Sequence, residues 1–473
     1  MSNTAETVTQ PVKIARKKSL GRLDIFLGII CLILFLDTVA PAAAMGPTAI
    51  TWYLIIAIVY FIPASLIAAE LGAAYPDEGG MYTWVKRGLG NRWGARVSWY
   101  YWLNNALWVP SVTIFIAQVF AQLFMPDLGL TPMIIMAICL TWVYVFIGMR
   151  PMKESKWVTN IGAGFKLTIV AGIIISAVIF LVKNGGVPAN DLSIGNFVPT
   201  LGASFLFFPA LIYNMNGCEA ICSMGSQMKN PAKDVPKTII AAALLVTGIY
   251  CFCTLAILAI MPYEDMDIVQ GLLNCFIFAL GDGALANAVV MIVGLLFLYT
   301  LIAQGPVWMV SACTMASEAS QNGELPKAFG ILHKKHQSPV GSLVLIGIIS
   351  TIITVVYGFM ATNAADLFWT LFSFTSIIFF LPYIIDFSAF IRLRKNDPDT
   401  PRPYRFPGGD KFAFFVCRLG QFVLLFTIVA FFWVPGQPID WGYSIPLIIG
   451  VIIFLVVGEI LNHTSMKKAG LLK

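Results

Sequence analysis

Twelve apolar stretches follow one another along this chain, near 24–45, 48–74, 93–124, 131–149, 158–182, 200–226, 237–261, 285–316, 340–360, 364–391, 411–434 and 443–461. Each approaches or exceeds the roughly 20 residues that carry a helix across a bilayer. In hydrocarbon every backbone N–H and C=O must find its partner within the protein, so the expectation is an all-α integral membrane protein of about 12 transmembrane helices. Composition agrees: 11% of the 473 residues are charged and 58% are hydrophobic, where a soluble chain carries about 25% charged residues. No large soluble domain fits beside the spans. The stretch 262–285 is too polar and broken to count as one.

The formal charge of +6 does not point to nucleic acid, because the cations lie between apolar stretches, where they set orientation in the membrane. The N-terminal tail carries Lys13, Arg16, Lys17, Lys18 and Arg22. Connectors after even-numbered spans carry Lys86, Arg87 and Arg92, then Arg150, Lys153 and Lys156, then Lys229 and Lys233, then Lys327, Lys334 and Lys335, then the seven cations from Arg392 to Arg418. The other connectors hold Asp127, Asp191, Glu264, Asp265, Asp267, Asp282, Asp366 and Asp440 with one cation, Lys183. Both termini are therefore expected in the cytoplasm of a multi-pass cell-membrane protein whose surroundings are lipid. The first twenty residues lack the apolar core of a signal peptide, so the first span is expected to serve as its own insertion signal.

Two spans look broken. The first contains Asp37 in hydrocarbon and Pro41, which removes a backbone donor. The sixth contains Pro209 and then the polar run Tyr213-Asn214-Met215-Asn216-Gly217-Cys218-Glu219. Non-helical backbone at membrane depth persists only inside protein or beside a wet cavity. Interruptions at equivalent positions of two halves, spans 1–5 and 6–10, point to a transporter's central site.

Asp37 is the sharpest candidate: an aspartate at mid-membrane costs about 2.5–3.5 kcal/mol. It answers a substrate ammonium, or it caps the half-helix after the break and bonds donors freed at Pro41. Glu219 reads equally as proton carrier, amine ligand or helix cap. Lys166, inside the fifth span, stands in for a bound sodium ion or snorkels to the cytoplasmic face. Tyr213 adjoins the sixth-span break and Trp308 lies in the Gly305-Pro306 region of span eight; both are core residues unless their faces hold a cation. Trp99, Tyr100, Tyr101, Trp102 and Trp108 read as an interface belt and packing.

No metal cluster, phosphate loop or nucleophile triad emerges, so neither a cofactor nor enzyme chemistry is expected. His333, His336 and His463 sit among lysines and read as solvated. The nine cysteines have no zinc or disulfide spacing, and residues 125–131 hold none that would tether a helper subunit. A channel would show filter-like repeats instead of two broken helices.

Four connector segments are similar to motifs of the amino acid-polyamine-organocation (APC) superfamily. Pro76-Asp77-Glu78-Gly79-Gly80-Met81-Tyr82-Thr83-Trp84 resembles its P-x-x-GG-x-Y-x-W motif, and Lys229-Asn230-Pro231-Ala232-Lys233-Asp234-Val235-Pro236 its KNP segment. Asn322-Gly323-Glu324-Leu325-Pro326 with His333 resembles the DG-x-LP segment, and Arg402-Pro403-Tyr404-Arg405-Phe406-Pro407-Gly408-Gly409 the RPYR-x-PGG segment. The resemblance spans about 20–460 and is nearest to bacterial glutamate/GABA-type antiporters, which include amino acid/amine and agmatine/putrescine exchangers.

It implies a five-plus-five inverted repeat of the LeuT-like kind with two further helices: a tail (1–22), a ten-helix transport core (23–392), a loop (393–410), helices 11 and 12 (411–462) and a second tail (463–473). It implies alternating access for a small amino acid or amine, as an exchanger or, alternatively, a proton-coupled importer; a homodimer is compatible with it. Asp37, Tyr213, Asn214, Glu219 and Trp308 become the expected substrate-binding residues, and Lys166 and Glu219 the expected coupling residues. Trp308 precedes Pro326 by eighteen residues, as does the substrate-stacking tryptophan of an arginine/agmatine exchanger before its own proline. Two positions depart from the pattern. The carboxylate-binding GSG turn of helix one is replaced around Phe35-Leu36-Asp37, and acids before KNP are replaced by Ser226-Gln227. An anion at the first site disfavours a substrate carboxylate and favours a cationic amine.

Overall fold

A computed structural model describes residues 22–75, 80–150, 156–219, 231–281 and 283–472. The expected N-terminal tail up to residue 21, the segment 76–79, Lys153, Asp282 and the sixth stretch beyond Glu219 with Lys229 lie outside the described residues.

Among the described residues the chain is helical and contains no strand. The first stretch is split into α1 (Arg22–Ile33) and α2 (Val39–Ala43). The second is α3 (Thr48–Ile56) continued through a π-helical turn into α4 (Ile62–Ala74), followed by the short amphipathic α5 (Met81–Leu89). Then come α6 (Asn91–Phe124), α7 (Leu130–Gly148) and α8 (Lys156–Lys183). The sixth stretch contributes α9 (Phe208–Asn214), and α10 (Pro231–Ile260) and α11 (Gly271–Leu280) follow. The rest are α12 (Ala284–Gln321), α13 (Val340–Gly358), α14 (Ala364–Asn396), α15 (Gly409–Ala430) and α16 (Trp441–Lys468).

Eleven helical stretches among the described residues are long and apolar enough to cross a membrane. They coincide with the expected ones except the sixth, which is a short apolar helix, Ser204–Asn214, before the chain breaks. The uncounted 262–285 stretch holds the ten-residue α11. Burial sorts the bundle: the most apolar windows of α6 and α14 are 78% buried and that of α16 only 17%. So α6 and α14 are central pillars, and α16 turns Ile449, Ile452, Ile453, Val456 and Ile460 outward. With lipid as solvent, an all-apolar outer helix needs no polar face.

A glycine lets α12 close on α7. A Cβ at Gly305 would fall 2.0 Å from the Tyr144 ring, and the Tyr144 hydroxyl donates to Leu301 O at 2.8 Å, one turn before Pro306.

The cation-rich end is clasped by the motif residues. Tyr82 donates to Glu324 Oε2 at 2.8 Å, Lys86 Nζ lies 2.7 Å from Glu324 Oε1, and Asn322 donates to the Tyr82 hydroxyl at 2.9 Å. Burial pushes the Glu324 carboxyl above the usual carboxylate range, and its bonds from Lys86 and Tyr82 oppose that. Buried Glu70 of α4 accepts from Arg394 Nε at 2.7 Å and Nη2 at 2.5 Å, with Arg402 Nε at 3.2 Å and the Phe406 N–H at 2.6 Å.

Candidate functional site

The interruption of the first span can be followed group by group. After α1 ends at Ile33, Leu34 and Phe35 belong to no helix and Leu36–Thr38 form one 3-10 turn. A helix end leaves its last carbonyls without helical partners, and here side chains from other helices supply them. Cys31 O and Leu34 O accept from Lys166 Nζ at 2.6 and 2.5 Å. Leu32 O accepts from Trp308 Nε1 at 3.2 Å and Ile33 O from the Tyr250 hydroxyl at 2.8 Å. The Phe35 N–H donates back to Tyr250 at 2.7 Å. Pro41, the third residue of α2, sits in a first turn, where a missing N–H costs nothing.

Lys166 is 1% exposed, so the snorkelling alternative does not describe it. An ammonium has three donors, and all are committed: to Cys31 O, Leu34 O and Gln304 Oε1. A cation here also answers the negative end of α1.

Asp37 is 3% exposed, and its Oδ1 has no hydrogen-bond partner. It lies within electrostatic reach of Lys166, but the ammonium protons are spent elsewhere. The capping position of α2 is Thr38, with no side-chain cap bond. One oxygen of Asp37 is thus a buried acceptor without a donor.

The second break is tied to the first. Asn214, last residue of α9, accepts from Thr38 Oγ1 at 2.5 Å and donates to Tyr53 at 2.9 Å. Asn216 accepts from Tyr60 at 2.5 Å and donates back to Ile212 O at 2.6 Å. Gly217 then turns with φ +107°, and a Cβ there would meet the Trp308 ring at 3.1 Å, so glycine is needed twice over. Glu219 follows, buried, its Oε1 accepting from Tyr101 at 3.0 Å and Tyr383 at 2.6 Å.

Aromatic rings fill the space between the breaks. Phe35 lies 5.2 Å from Tyr213 and 6.1 Å from Trp308, the latter stacked. Phe379 of α14 joins them at 5.3 Å from Tyr213, 6.0 Å from Trp308 and 5.1 Å from Tyr383. The result is a packed cluster of rings that begins at Phe35, two residues before Asp37, and ends at Tyr383, which bonds Glu219. Such faces attract cations by about 0.5–2 kcal/mol each.

Asp37, Tyr213, Asn214, Glu219 and Trp308 are therefore brought together, with Lys166 bracing the helix break behind them. Trp99, Tyr101, Trp102 and Trp108 are all buried and Tyr100 is partly so, which favours the packing half of the sequence reading over the interface belt, because other helices enclose this part of α6. Sequence reasoning missed Phe35, Tyr101, Phe379, Tyr383, Gln304 and Asp386. Only Asp386, an acid inside an apolar stretch, carried a signal that could have been read.

Comparison with known proteins agrees with this architecture. The family model described as amino acid permease matches residues 20–457. A protein of Lactococcus lactis described as "Probable agmatine/putrescine antiporter" is 30% identical over 454 residues, covering 95% of this chain and 96% of that relative. The glutamate/gamma-aminobutyrate antiporter of the same organism is 23% identical, covering 84% and 80%. A probable polyamine transporter of Arabidopsis thaliana is 24% identical, covering 90% and 80%.

Proposed function

This chain belongs to the amino acid permease family, and from that premise we propose that it is an antiporter exchanging an amino acid or cationic amine for a related amine, of the agmatine/putrescine kind, by alternating access. It is a multi-pass membrane transporter and not an enzyme. The observation that carries the finer reading is Asp37: a buried carboxylate with an unpartnered oxygen, at a helix break walled by Phe35, Tyr213 and Trp308. An ammonium or guanidinium brings the missing donor, and the rings accept its charge. Were the pair an amino acid and its decarboxylation product, exchange would move charge outward, each unit worth about 2.3 kcal/mol per 100 mV; a pair of equally charged amines would move none.

The competing reading is a proton-coupled amino acid importer using Lys166 or Glu219; the burial of both inside the bundle favours it. Counterflow in proteoliposomes separates the two. An antiporter takes up labelled amine only when vesicles are preloaded with a partner, and Asp37→Asn abolishes that uptake. Uptake into empty vesicles on an imposed pH gradient would select the importer, and unchanged affinity in Asp37→Asn would remove Asp37 from the site.

A further inference from the structure

Asp386 lies in α14 one turn beyond Tyr383, so the two side chains share a helix face. It is 6% exposed, deep inside an apolar helix, and its Oδ1 has no hydrogen-bond partner. A buried carboxylate oxygen left bare is costly and calls for a donor from outside the fold. It lines a cavity with Ser65, Asn216, Glu219 and Tyr383 that holds about one water-sized group, the size of an alkylammonium head. Tyr383 gives its one hydroxyl proton to Glu219 Oε1, Ser65 gives its own to Cys218 Sγ, and Asn216 spends one of its two amide protons on Ile212 O. Two carboxylates, Asp386 and Glu219, face this cavity, and among the described residues no lysine, arginine or histidine lines it.

We propose that Asp386, with Glu219 across the cavity, forms a second ammonium subsite that selects substrates with a cation at each end. The proposal rests on the amine-exchange reading above and narrows it to α,ω-diamines and similar dications. A ladder of rings, Tyr213 to Phe379 at 5.3 Å and Phe379 to Tyr383 at 5.1 Å, leads from the Asp37 break to this cavity. One cationic end meets Asp37, the methylene chain lies on the rings, and the other end supplies the donor that Asp386 lacks.

The test is inhibition of labelled-amine counterflow by a series of α,ω-diamines of increasing chain length and by the monoamines of matching length, in proteoliposomes of the wild type, Asp386→Asn and Asp386→Glu. A charge-assisted bond gained only by a diamine long enough to reach both ends makes its inhibition constant about tenfold or more lower than that of the matching monoamine. In Asp386→Asn that ratio collapses toward unity, while Asp386→Glu keeps part of it. A wild-type preference that survives intact in Asp386→Asn overturns the subsite and leaves the exchange reading standing; a wild type that exchanges no amine overturns both. Should Asp386→Asn not yield folded protein, the diamine length series on the wild type decides. Two fixed anionic ends demand a sharp optimum in chain length that monoamines do not show, and a flat series refutes the subsite.

Discussion

The hydroxyl of Tyr250 replaces the turn of helix that the chain omits at Phe35: it accepts the Phe35 N–H at 2.7 Å and donates to Ile33 O at 2.8 Å. Its ring stacks on Tyr53 at 5.4 Å, so Tyr250→Phe keeps the packing and removes only the bridge. Two buried backbone groups then lose their partner, at about 1–3 kcal/mol each. The thermal unfolding midpoint of the detergent-solubilised protein, followed by intrinsic fluorescence, is expected to fall clearly. An unchanged midpoint would mean that the break is held by other groups.

Lys166 holds the same break from the other side, and its replacement should be felt in turnover. Lys166→Met strips the donor from Cys31 O, Leu34 O and Gln304 Oε1, each bond to a charged group being worth about 1.5–3 kcal/mol. Counterflow per molecule of reconstituted protein is expected to drop by about tenfold or more. Lys166→Arg, which keeps the charge but cannot match three converging acceptors with a planar fork, is expected to recover only part. Wild-type rates in Lys166→Met would strip the residue of any part in the cycle.

The spans and their interruptions were legible in the sequence because hydrocarbon penalises charge and irregular backbone so heavily that each exception stands out. Asp37, Lys166 and Glu219 were visible for that reason. What held the breaks was not legible: Tyr250, Tyr53 and Tyr60 look like any apolar-span tyrosine until the fold carries them across more than 150 residues of chain to Phe35, Asn214 and Asn216. Phe379 was hidden by abundance, one of 35 phenylalanines. Tyr101 was misread because a tyrosine near the end of a span suits a membrane interface as well as a core, and only the enclosure of α6 decides between them. The motif residues were recognised by pattern, but the clasp between Tyr82, Lys86 and Glu324 needed the geometry.

Trp308 does two things that substitution can separate. Its ring stacks on Phe35 and its indole N–H donates to Leu32 O. Trp308→Ala removes both, and the lost cation–ring attraction alone should raise the apparent KM for a cationic amine by about 2- to 30-fold. Trp308→Phe keeps a ring but leaves Leu32 O bare, so it should retain most of the affinity while lowering the unfolding midpoint. The reverse pattern, affinity lost in both variants and stability in neither, would contradict this division.

At the cation-rich end, Glu70 and Arg394 make a two-pronged ion pair whose side chains are 1% and 2% exposed, at 2.5 Å for the closer prong. Removing one member of a buried pair costs about 3–5 kcal/mol where the other charge is stranded; here Arg402 stays beside Glu70 and Asp410 beside Arg394, so a smaller loss is expected. Arg394→Met is expected to destabilise, and Glu70→Leu more, since Glu70 also holds Arg402 and the Phe406 N–H. In the double variant neither partner of the pair is stranded, so the loss is expected to be less than the sum of the two single losses, with a coupling of about 0.5–3 kcal/mol. Denaturant titration of the four proteins in mixed micelles gives the cycle. Strict additivity would show that the two side chains act independently, each through its other partners.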